Sequence, residues 1–66
     1  MVEGVVSWFD PRHGTGSIVT DDGAEVAVRA SSIAGGGRQS LRPGDRVAFV
    51  LFHGPDGAAA SDVHVP

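Results

Sequence analysis

"TGSIVTDDGAEVAVR", Thr15 to Arg29, is the stretch that decides the fold. Val26 and Val28 fall on one side of a period of two, with Glu25, Ala27 and Arg29 on the other, the pattern of a half-buried strand. Ahead of them Thr15 to Thr20 is a short β-branched run, and Asp21-Asp22-Gly23 separates the two. An Asp-Gly pair accepts the positive φ of a tight hairpin turn, so the stretch predicts two antiparallel strands joined by that turn.

Upstream, "VEGVVSWFD" (Val2 to Asp10) mixes β-branched and aromatic residues and stops at Asp10-Pro11, which reads as a strand entering a turn. Downstream, Ala30 to Gly44 is a long connection containing Gly35-Gly36-Gly37. Ser31 to Ile33 is expected to form one helical turn there, with Ile33 and Leu41 tucking the two ends onto the core. Alternation returns in "DRVAFVLF" (Asp45 to Phe52), with Val47, Phe49 and Leu51 opposite Ala48, Val50 and Phe52. "GPDG" at 54–57 turns the chain into a last strand, Ala58 to Val65. Five short strands without a long helix predict an all-β fold, a small five-stranded antiparallel barrel forming a single domain over residues 1–66. Val5, Val50 and Phe52 then point away from the core, an apolar surface of the kind that can mark a partner site.

A chain of 66 residues buries only roughly 60% of the surface it exposes when unfolded, which argues against a deep catalytic cavity. It has no cysteine, so neither disulfides nor thiolate metal sites staple it. His13, His53 and His64 lack metal-ligand spacing, and the serines have no base and orienting acid arranged around them. Gly14-Thr15-Gly16 lacks the third glycine and following helix of a dinucleotide fingerprint; these glycines suit barrel curvature and close strand approach instead. No enzyme activity, metal or cofactor is expected. With no basic leader and no run of roughly 18 apolar residues, the expectation is a soluble, unprocessed, cytoplasmic protein without membrane contact.

Eight acidic residues against five basic ones give a net charge of −3, which argues against strong nonspecific attraction to phosphate. All five basic residues are arginines: Arg12, Arg29, Arg38, Arg42 and Arg46. A guanidinium can pair with phosphate through its planar fork and also stack on a base.

The features "GVVSWFD", "HGTGSIV", "EVAVRASSI", "SLRPGDRVAF" and "GPDGAAASDV" together resemble the bacterial cold shock proteins over essentially the whole chain. That resemblance implies a five-stranded oligonucleotide-binding (OB-fold) barrel, the cold shock domain, which binds single-stranded RNA and DNA on an aromatic face. The family's second strand carries a Lys-Gly-Phe-Gly-Phe-Ile type motif, where this chain has His13, Gly14, Thr15, Gly16, Ser17 and Ile18. Its third strand reads Val-Phe-Val-His-Phe, against Val26, Ala27, Val28, Arg29 and Ala30, and the aromatic of the following loop is replaced by Arg38. The core positions Ile18, Val26 and Val28 are kept, so the replacements fall on the outward face, where function is decided.

Base stacking on an aromatic side chain is worth about 1 to 3 kcal/mol, so losing three such contacts removes roughly 3 to 9 kcal/mol. What the resemblance leaves as binding positions is Trp8, expected outward, with Arg12, His13, Thr15, Ser17, Ala27, Arg29 and Arg38, and Arg42 nearby; Phe9 belongs to core or rim. Two functions fit. In the first, a monomer binds single-stranded RNA or DNA weakly through Trp8 and arginines. In the second, the barrel is a protein-interaction module that has lost nucleic-acid binding, its smoothed face docking a protein partner of the transcription or translation machinery.

Overall fold

The computed structural model describes residues 1–34 and 40–66. Its strands are β1 (Val2–Asp10), β2 (Thr15–Thr20), β3 (Glu25–Arg29), β4 (Arg46–Gly54) and β5 (Gly57–His64), with one 3-10 turn at Ala30–Ser32 after β3. They close into a barrel in the order β1-β2-β3-β5-β4. The antiparallel expectation holds at four seams and fails at the fifth, where β3 and β5 run parallel through Ala27 and Ala59. Geometry requires this. Up and down cannot alternate around a ring with an odd number of strands, so one neighbouring pair must share a direction.

The first three strands have the predicted bounds. The β4–β5 hairpin is longer and shifted, because the ladder continues to a Gly54–Gly57 pair at the turn itself. The helical turn begins at Ala30, one residue before the expected Ser31, directly after β3 ends at Arg29.

Val6, Ile18, Val26, Val28, Val47, Phe49 and Val63 fill the barrel, each almost completely buried. Ile33 joins this cluster and Leu41 packs against it, so both ends of the long connection are pinned as expected. Ala48, expected outward, is also buried; its short side chain lies between Glu3 and His64 on the flanking strands. Just beyond, the β4–β5 register shifts and Asp62 takes a left-handed φ of 54°, a conformation that aspartate tolerates better than most residues.

The β2–β3 turn forms as its residues dictate. Gly23 has φ of 92°, and the Thr20 hydroxyl donates to the Asp22 carboxylate while accepting the Ala24 N–H at 3.0 Å. Beside it Arg46 forks onto Asp21 at 2.9 and 3.2 Å and reaches Glu3 at 3.2 Å. These exposed pairs clasp β1, β4 and the β2–β3 turn together, with the modest strength of surface ion pairs.

Candidate nucleic-acid interface

One extra residue places the tryptophan. Gly4 and Val6 are buried, so strict alternation along β1 would carry Trp8 into the barrel. The register instead steps from Val6–Ile18 to Trp8–Ser17, leaving Ser7 unpaired in a β-bulge. A bulge resets which face the following residues take. Trp8 therefore stands on the outer face, 49% exposed, and Phe9 turns in to pack on the core opposite Gly16. Glycine at position 16 is what lets Phe9 and β1 come so close: a Cβ there would lie 2.5 Å from the Trp8 carbonyl oxygen and 2.7 Å from the Phe9 ring.

Trp8, Ser17 and Ala27 are consecutive cross-strand partners on β1, β2 and β3. They border a recess of about 400 Å³, walled by Glu25 and by Asp56, Gly57 and Ala58 of the β4–β5 hairpin. Ser17 lies on this outer face as expected but is not freely exposed: at 7% it is sunk between its two partners. The small side chains of Ser17 and Ala27 leave this space open.

The other expected site residues are distributed around this recess. Thr15 is half-buried and pairs with the exposed Arg29. Arg29 lines not the first recess but a neighbouring one of about 300 Å³, together with Ala27, Ala59, Phe52 and the hairpin. Arg12 and His13 belong to the β1–β2 turn. There Asp10 accepts the Arg12 backbone N–H at 3.0 Å and pairs with His13 Nδ1 at 2.6 Å. The His13 hydrogen bond, helped by the Arg12 N–H, holds the Asp10 carboxyl below the ordinary aspartate range. The His13 ring thus orders the turn, and among the described residues that line either recess Arg29 is present while Arg12, His13 and Arg42 are not. Arg38 lies outside the described residues.

Charge and shape set what this face can hold. The exposed Glu25 and Asp56 border the first recess and their negative charge disfavours a phosphate there, while the indole and small floor suit a flat, uncharged ring. Arg29 stands beyond them, and among the described residues it has no ion pair. No group of three or more potential metal ligands occurs among the described residues.

The family model described as the 'Cold-shock' DNA-binding domain matches residues 2–66. The chain belongs to the cold-shock domain family. Its relatives include the major cold shock protein CspA of Pseudomonas aeruginosa, 39% identical over 62 residues, covering 94% of this chain and 90% of the relative. The cold shock protein CspC of Bacillus subtilis is 38% identical over 63 residues, covering 96% of each. A probable cold shock protein A of Mycobacterium tuberculosis is 38% identical over 64 residues, again covering 96% of each. Membership supports nucleic-acid binding as the general function of this cold-shock domain, and the family is one of binding proteins rather than enzymes. No helix among the described residues is long and apolar enough to cross a membrane.

Two contributors to the face were not singled out as site residues by sequence. By sequence Glu25 and Asp56 read only as strand and turn residues; β1–β2–β3 pairing brings Glu25 to the Trp8 recess, and barrel closure through β3–β5 brings Asp56. Phe52 was legible as an outward apolar residue through alternation, and at 46% exposed it is one.

Proposed function

We propose that this cold-shock domain binds single-stranded RNA or DNA weakly, one base resting against Trp8 over Ser17 and Ala27, with phosphates steered to Arg29 and Arg12. The exposed indole beside a recess floored by small residues carries this reading. A single aromatic of roughly 1 to 3 kcal/mol replaces the family's several, so affinity is micromolar or weaker. The carboxylates of Glu25 and Asp56 lower it further.

Those same carboxylates favour a second reading, in which the recess docks a basic or neutral protein surface. Arg29→Ala separates the two. On the nucleic-acid reading it weakens oligonucleotide binding by about 1 kcal/mol or more and lowers the salt slope by about one. Unchanged oligonucleotide affinity and slope would favour the protein-docking reading. The fold is unaffected in either case, because exposed substitutions stay within about 0.5 kcal/mol.

A further inference from the structure

Phe52 is the second large aromatic left in the open, and it stands far from Trp8 along the barrel wall. Trp8 pairs with Ser17, Ser17 with Ala27, Ala27 with Ala59, and Ala59 with Phe52. That register runs through all five strands. At about 4.8 Å per neighbouring strand, this path around the barrel wall is roughly 19 Å long. Phe52 is 46% exposed and borders a recess of about 300 Å³ with Ala27, Arg29, Ala59, Pro55 and Asp56. An accessible ring and an arginine that has no ion pair among the described residues border one recess, and offer a base its π-face and its phosphate a cation. The recess adjoins the one at Trp8, since both are bordered by Ala27, Asp56, Gly57 and Ala58.

We infer that Phe52 and Arg29 form a second base-binding station on the β4–β5 side of the barrel, so that a single strand held at Trp8 continues across Ala27 and Ala59 to stack on Phe52. This rests on the reading of Trp8 as the first station. Arg29 borders the Phe52 recess near the Ala27–Ala59 seam, where it serves a phosphate of the backbone running between the two stations. Asp56 repels phosphates from the hairpin side and keeps the backbone on the Arg29 side. The span fits the lower part of the range of roughly 4 to 16 nucleotides that OB barrels cover.

The test compares oligothymidylates of roughly two nucleotides, too short to reach Phe52 from Trp8, and eight nucleotides, 5′-labelled for anisotropy, with Trp8 fluorescence followed in parallel. Phe52→Leu keeps an apolar side chain but removes the ring, and Phe52→Tyr keeps the ring. The readout is the ratio of the two dissociation constants, in which the extra registers open to the longer strand count equally for every variant. In the Leu variant the longer strand weakens about fivefold or more while the shorter one, and its effect on Trp8, stay within about twofold; the Tyr variant behaves as wild type. If the Leu variant keeps the wild-type ratio, the second station is overturned and the Trp8 reading stands. If wild type shows no response of Trp8 to either strand, the Trp8 reading itself falls and the second station falls with it.

Discussion

Trp8 on β1 is the direct cross-strand partner of Ser17 on β2, although the buried residue before it on β1, Val6, pairs with Ile18 in the core. The Ser7 bulge makes both statements true at once. The outer face therefore carries the indole beside small side chains. Refilling it follows directly: in Thr15→Phe with Ser17→Phe the new ring at 17 enters the recess beside Trp8 and the ring at 15 lies beside Arg29. Oligonucleotide affinity should rise at least tenfold, within the roughly 1 to 3 kcal/mol expected per stacked base. An equilibrium titration of the double variant checks this; no gain would mean that the recess is closed to rings.

Gly16→Ala tests the close approach of β1 and β2. The added methyl meets the Trp8 carbonyl oxygen at 2.5 Å, and backbone cannot swing aside as a side-chain tip can. Overpacking of this kind costs about 1 to 3 kcal/mol, a fall in Tm of about 4 to 8 °C per kcal/mol for a domain this small. Thermal melts followed by circular dichroism should show it, whereas a neutral substitution would mean the strands separate more easily than the register implies.

Acid should loosen the turns on either side of β2. Hydrogen bonding to His13 lowers the pKa of Asp10, and hydrogen bonding from Thr20, then from the Ala24 N–H, lowers that of Asp22. A carboxyl with a depressed folded-state pKa favours folding above its unfolded-state pKa of about 3.9 and loses that contribution as pH falls through the folded value. From these two groups Tm should be flat between about pH 7 and 5 and fall below about pH 4. Asp10→Asn should start lower and fall less steeply. A variant as steep as wild type would remove Asp10 from the turn's acid response.

The strands and the Asp-Gly turn were legible because alternation and turn chemistry act over a few residues, as Val26, Val28 and Gly23 do. The parallel β3–β5 seam was implicit in an odd strand number, yet nothing in the local pattern of Ala27 or Ala59 signals it. Trp8 is the instructive case. Counting in twos from Gly4 and Val6 sends it inward, and only the resemblance to a family with an outward aromatic there countered that count. The bulge that decides the matter is a relation between Ser7 and another strand. Asp56 reaches the recess for a similar non-local reason, through closure of the β4–β5 hairpin over β3.

The most direct test of the central claim is a titration with a pyrimidine-rich single-stranded oligonucleotide, followed through Trp8, the chain's one tryptophan, at low and high salt. A base stacked on the indole changes its emission, and phosphates paired with arginine make affinity fall as salt rises. The account predicts a saturable change in Trp8 fluorescence with a Kd in the micromolar range or weaker, weakening further at high salt. An unchanged Trp8 signal, or a nanomolar complex indifferent to salt, would contradict it.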